Sequence, residues 1–139
     1  MSELLVNATC VAIGGRGLLI TGEPGSGKSS LALALIDRGA VLVGDDGAAL
    51  ELADGRVLAS PPPNIAGLIE VRNVGLITLP TTSAPLALVV KLSRDTRRQP
   101  HAPGTHTLLG LPLPLIALWP DSHALPLRAE HALALYGIA

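Results

Sequence analysis

The eight residues Gly22-Glu23-Pro24-Gly25-Ser26-Gly27-Lys28-Ser29 constrain this chain more than any other feature. They match G-x-x-x-x-G-K-[ST], in which glycines let the backbone wrap a phosphate with its N–H groups turned inward. The context is the one this chemistry requires. An apolar run at 17–21 precedes the match, and KSSLALALIDR at 28–38 follows it. Leu31, Ala34 and Leu35 recur there at helical spacing, and Gly39 supplies a C-terminal stop. The N-terminus of such a helix adds about half a positive charge facing the anion. Lys28 is placed to reach the outer phosphates. The Ser29 hydroxyl is placed to ligate Mg²⁺, a hard cation that prefers oxygen.

The short apolar run 41–44 ends at Asp45-Asp46. Strand, glycine loop, helix and strand predict a βαβ unit, hence a parallel strand pair with a right-handed crossover. Ligands of open α/β sheets bind beyond the carboxyl ends of the strands, which puts both carboxylates near the phosphates. One would hold or orient a metal and the other would accept a proton from an attacking hydroxyl. Gly47 follows directly, so an ordinary Asp-Gly turn is the competing reading. Further on, Glu70 and Arg72 flank Val71 and share one face if the piece is extended. They suit a metal and a phosphate, or equally a surface salt bridge.

Elsewhere, 9–13 and 17–21 around Gly14-Gly15-Arg16 predict a β-hairpin, and so do 48–52 and 56–59 around Asp54-Gly55. Pro61-Pro62-Pro63 stops regular structure, with one helical turn expected at 64–69. Residues 74–79, 86–92 and 113–118 read as strands and 126–137 as a helix. Residues 93–107 read as an exposed polar loop carrying Arg94, Arg97, Arg98, His101 and His106, where one arginine would stabilise a transferring phosphoryl group. His123 and His131 have no chemical neighbours in sequence and read as surface or packing residues. The expectation is a single domain, 1–139, of α/β class, with a mixed β-sheet and few helices.

Composition removes several alternatives. Hydrophobic residues make up 48% and charged residues 15%, which excludes a disordered chain. The net charge is −1, so the basic field of a general nucleic-acid binder is absent. Trp119 and Tyr136 are the only aromatics, too few for a base-stacking platform. Cys10 stands alone, which excludes a disulfide framework and a cysteine-built zinc site and suits a reducing, cytoplasmic setting. No signal-peptide pattern opens the chain, and prolines interrupt both long uncharged stretches, so no membrane span is expected.

The phosphate loop followed by Ala-Leu-Ala-Leu-Ile-Asp-Arg-Gly-Ala and Val-Leu-Val-Gly-Asp-Asp resembles the catalytic domain of HPr kinase/phosphorylase. Glu70-Val71-Arg72-Asn73-Val74-Gly75-Leu76-Ile77 is similar to that family's second signature, usually Glu-Ile-Arg-Gly-Leu-Gly-Ile-Ile. The resemblance covers residues 5–120 and is specific in the first half. It implies a P-loop fold related to the nucleotide domain of PEP carboxykinases, in a short form without the family's N-terminal domain, assembled as a hexamer. It also implies ATP and Mg²⁺ as cofactors, and a serine of an HPr-like phosphocarrier as phosphoryl acceptor, with removal of that phosphate by phosphorolysis as a second activity.

Carried over by position, the resemblance makes Asp46 the proton acceptor. It makes Gly22 to Ser29, with Lys28, the nucleotide loop, gives Ser29 and Glu70 to the metal beside the Asp45 of the residue reading, places Arg72 within the catalytic signature and makes Arg98 (or Arg97) a further acting arginine. Three positions depart from the pattern. Asn7 stands where the family has a catalytic histidine, and a neutral amide cannot take a proton. Asn73 replaces the signature glycine. Gly47-Ala48-Ala49 follows Asp46 where a valine and a charged residue are usual. A nucleotide-binding regulator that has lost transfer is therefore the alternative to an active kinase.

Overall fold

The computed structural model describes residues 1–64, 66–95 and 102–139. In chain order the described residues form β1 (Ser2–Val6), β2 (Thr9–Ile13), β3 (Arg16–Gly22), α1 (Lys28–Asp37), β4 (Val41–Gly44), β5 (Gly47–Ala53) and β6 (Arg56–Ser60). There follow β7 (Leu68–Val71), β8 (Gly75–Thr78), β9 (Ala84–Leu92), β10 (Gly104–Leu108), β11 (Leu111–Leu118) and α2 (Leu125–Tyr136). The main sheet is nine-stranded and curled, in the order β1-β5-β6-β9-β3-β2-β4, with β11 on β9 and β10 on β11. The remaining hairpin, β7-β8, stands apart.

The middle strands explain this arrangement. Leu18, Leu19 and Ile20 of β3 and Leu88, Val89 and Val90 of β9 are all fully buried. Alternate residues serve opposite faces, as a two-residue period requires. Leu18, Ile20, Leu88 and Val90 pack with α1 and α2, whereas Leu19 and Val89 join Leu50, Val57 and Leu113 on the other side. Strands buried on both faces lose their polar alternation, and these two run parallel, as such strands usually do. Cys10 belongs to this interior. Burial pushes its thiol up to about 12, so it packs as a small apolar side chain.

α1 buries Leu31, Ala32 and Leu35 and ends as its sequence predicts. Gly39 takes φ +111°, donating to Ile36 O at 3.0 Å, and Ala40 N–H donates to Leu35 O at 3.0 Å. That paired closure is the glycine-terminated helix end, which needs a left-handed residue just past the last turn.

Both predicted hairpins form, and Asp54 and Gly55 adopt φ +54° and +75° between β5 and β6. Three expectations need correction. β3 and β4 run in the same direction but do not pair, because β2 lies between them, antiparallel to both. The local β2-β3 hairpin occupies the edge that β4 would have used, and β3 pairs in parallel with β9 instead. Residues 64–69 contain no helical turn among the described ones; Leu68 opens β7. Residues 104–107, read as loop, belong to β10, where Thr105 and Thr107 suit a strand that covers β11. No helix among the described residues is long and apolar enough to cross a membrane.

Candidate functional site

The phosphate loop leaves β3 at Gly22 and re-enters regular structure at Lys28. Gly22, at φ +152°, is required by crowding, since a Cβ there would lie 2.5 Å from Ser26 Oγ and 3.1 Å from Leu92 O. Gly25 and Gly27 take φ +79° and +101°, left-handed conformations that turn the loop into the helix N-terminus. Lys28 folds over the loop, its Nζ donating to Gly22 O at 2.9 Å and Glu23 O at 3.2 Å. An ammonium has three N–H groups, so one more can meet an anion.

The two aspartates meet this loop because β4 runs in the direction of β3 and ends at the same edge. Asp45 is held from three sides. Its Oδ1 accepts from Ser29 Oγ at 2.6 Å and from Thr9 Oγ1 at 3.2 Å, and its Oδ2 accepts from Glu70 N–H at 3.3 Å. Asp46 sits at φ +58°, its N–H donating to Thr9 Oγ1 at 3.4 Å and its carbonyl accepting from Asn7 N–H at 3.2 Å. Asp46 borders a polar cavity of about 350 Å³ together with Lys28, Ser29, Asp45, Glu70 and Arg72. Phosphate loop, both aspartates and both residues of the second signature thus converge on one cavity. Among the described residues no ion pair joins Glu70 to Arg72; Arg72 lies in the β7-β8 turn.

Gly44 holds this edge together. A Cβ there would collide with the Gly47 carbonyl oxygen and lie 3.0 Å from Pro62 Cδ. Gly44→Ala should therefore cost about 1–3 kcal/mol as overpacking against backbone, read as a lower denaturant midpoint at unchanged slope.

The oxygen set of Ser29 and Asp45 suits Mg²⁺, which takes one or two protein ligands and completes its shell with phosphate and water. No cluster of three or more His, Cys, Asp or Glu arranged for a metal occurs among the described residues. Glu70 places its backbone, not its carboxylate, on Asp45, and its side chain is exposed at the cavity wall. Arg97, Arg98 and His101 lie outside the described residues. Arg94 is paired with Asp121 at 2.7 Å, and this guanidinium holds the Asp121 carboxyl below its usual range.

Thr9 escaped the sequence reading. It is fully buried, and it ties Asp45 to Asp46, yet a threonine opening a strand is what β propensity alone would place there. Asn73 carries φ +68°, so the amide replaces the signature glycine without leaving the left-handed conformation that Asn tolerates. Asn7, at φ +60°, is likewise left-handed.

The HPr Serine kinase C-terminal domain model matches residues 1–94. The chain is 42% identical over 79 residues to an HPr kinase/phosphorylase of Clostridium tetani, a match covering 57% of this chain and 26% of that protein. It is 40% identical over 118 residues to the Bordetella petrii HPr kinase/phosphorylase, covering 75% and 38%. The chain thus spans well under half the length of the curated relatives it matches. The solved Hpr(Ser) kinase/phosphatase of Coxiella burnetii superposes with a TM-score of 0.80 at 29% identity, over 96% of this chain and 92% of the solved one. The chain belongs to the HPr serine kinase C-terminal domain family, and its curled mixed sheet with two helices is that family's catalytic-domain fold.

Proposed function

We propose that residues 1–139 act as one Mg-ATP-dependent protein-serine kinase domain that phosphorylates an HPr-like phosphocarrier, with removal of that phosphate by phosphorolysis, which consumes inorganic phosphate and releases pyrophosphate, as a second activity. The observation that carries this is the meeting of Asp45 and Asp46 with Lys28 and Ser29 on one polar cavity. The loop N–H groups and Lys28 orient the phosphates. Ser29 and Asp45 hold the metal, with Glu70 at the wall as a second contact. Mg²⁺, when bound, supplies neutralisation of charge on the phosphate oxygens. Arg72, exposed at the same cavity, faces charge that develops on the transferring group. Asp46 takes the proton from the carrier's serine hydroxyl as its oxygen bonds to the γ-phosphorus and the bond to the β-phosphate oxygen breaks. Incubation with γ-labelled ATP and a purified HPr-like protein tests the reading. Label on a carrier serine supports it, and tight nucleotide binding without label favours a regulator that has lost transfer.

The Asn7 N–H donates to the Asp46 carbonyl oxygen, which sets position 7 beside Asp46 in the fold. Asn7→His is expected to raise the transfer rate several-fold (the order of a modest general-base gain), most visibly above the imidazole's titration near pH 6.5. An unchanged pH–rate profile would remove position 7 from the reaction.

Self-association is also expected, as a homo-oligomer that the resemblance makes a hexamer. Val6, Leu76 and Leu135 are 64%, 69% and 74% exposed in a chain with only 15% charged residues. Sedimentation should show a species heavier than the 14.2 kDa monomer, and a monomer at high concentration would contradict this.

A further inference from the structure

Thr9 opens β2 and is fully buried. Burying a hydroxyl is unfavourable unless it is hydrogen-bonded, and valine would fill the same space in a strand without that cost. The partners of this hydroxyl explain it. Its Oγ1 donates to Asp45 Oδ1 at 3.2 Å and accepts from Asp46 N–H at 3.4 Å. A carboxylate only accepts and a backbone N–H only donates, so the atom between them must do both, as a hydroxyl oxygen does. The strand register brings it there. β2 pairs with β4 as Val11 on Leu42 but Cys10 on Gly44, a shift of one residue that sets Thr9 level with Asp45. Such irregularities re-aim side chains beside functional sites.

Asp45 Oδ1 also accepts from the Ser29 hydroxyl at 2.6 Å. With its hydrogen directed at Asp45, Ser29 Oγ keeps its lone pairs for a cation. One carboxylate oxygen thus joins β2, the start of α1 and the turn after β4. The Thr9 hydroxyl also holds the N–H of Asp46, whose φ of +58° is an uncommon conformation that persists where its surroundings fix it. We propose that Thr9 is a positioning residue of the Mg²⁺ site. It sets the Asp45 carboxylate and the Asp46 backbone in one fixed relation, and so links metal binding to nucleotide affinity and to transfer. Thr9 borders the polar cavity, yet none of it is exposed, so it acts through these two neighbours. The proposal rests on the Mg-ATP reading of the site and adds to it the residue that orders the metal's carboxylate.

Calorimetry of ATP binding, with Mg²⁺ and with a chelator in its place, tests this on the full chain for wild type, Thr9→Val and Thr9→Ser. Thr9→Val keeps the shape and removes the hydroxyl. It should remove most of the gain in ATP affinity that Mg²⁺ brings. Metal-free ATP binding, which uses the loop N–H groups and Lys28, should stay at the wild-type level. Single-turnover transfer at saturating Mg-ATP should fall about 10- to 100-fold, the usual loss when a group that orders a metal ligand is removed, with the half-saturating carrier concentration unchanged. Thr9→Ser should recover most of both losses. Thermal melting checks that each variant is folded; should Thr9→Val not fold, Thr9→Ala, which adds no new contact, carries the same comparison. An undiminished Mg²⁺ effect in the variant without the hydroxyl would overturn the proposal. So would an equal loss of ATP affinity with and without Mg²⁺, because the hydroxyl would then only support the loop, and so would a Thr9→Ser protein as impaired as Thr9→Val. Wild type that binds ATP no better with Mg²⁺ than without it overturns the metal reading and this proposal together. Wild type that shows the Mg²⁺ effect on binding but transfers no label removes the kinase reading alone and leaves Thr9 its role at the metal.

Discussion

Lys28→Ala should weaken Mg-ATP binding about 10- to 150-fold. The ammonium is the single positive side chain in the phosphate loop, and its Nζ already lies over the loop at 2.9 Å from Gly22 O. A charge-assisted hydrogen bond to phosphate contributes about 1.5–3 kcal/mol, and each 1.4 kcal/mol is about a tenfold change in affinity. The loop itself should survive the substitution. Its curvature comes from Gly25 and Gly27 and from the Ser26 N–H bond to Glu23 O at 3.0 Å, none of which uses the lysine side chain. Thermal stability should therefore change little while affinity falls, and equal affinity for the two proteins in calorimetry would remove the phosphate-loop assignment.

Local chemistry was what the sequence made legible. The loop and α1 follow from glycine positions and leucine spacing, and the Asp54-Gly55 turn follows from the need for two left-handed residues. Each of these is decided within about a dozen residues. What could not be read was decided by pairing across the chain. Nothing in Thr9–Ile13 says that the strand will separate β3 from β4, because any apolar five-residue run can pair on either edge. β1 carries no strand signal, because Ser2–Val6 shows no alternation; it is held as an edge strand by β5 alone, with Leu4 and Val6 left exposed. β10 has no apolar signal, because it is the outermost strand beside β11 and its Thr105 and Thr107 are exposed. The site shows the same division. Lys28, Ser29, Asp45 and Asp46 carry motif signatures, whereas Thr9 acts only through its contacts with residues 36 and 37 positions away.

Asp46→Asn should slow phosphoryl transfer by about 10²–10⁴-fold, the range for loss of a positioned general base. The amide keeps the shape of the carboxylate, and φ +58° is a conformation that Asn adopts as readily as Asp, so the turn on Thr9 and Asn7 should persist. Removing a negative charge beside the phosphates should leave ATP affinity equal or higher. In the proposed reaction Asp45 is a metal ligand, and a carboxylate bound to Mg²⁺ is a poor proton acceptor, so it offers no substitute base. The most direct measurement is a single-turnover assay of labelled phosphate moving from ATP to the serine of an HPr-like carrier, at saturating nucleotide and carrier, for wild type and Asp46→Asn. Phosphoserine formed by wild type, with a rate at least about 100-fold lower for the variant at undiminished ATP binding, is the predicted result. Equal rates for the two proteins, or no phosphoserine from wild type despite bound ATP, would contradict it.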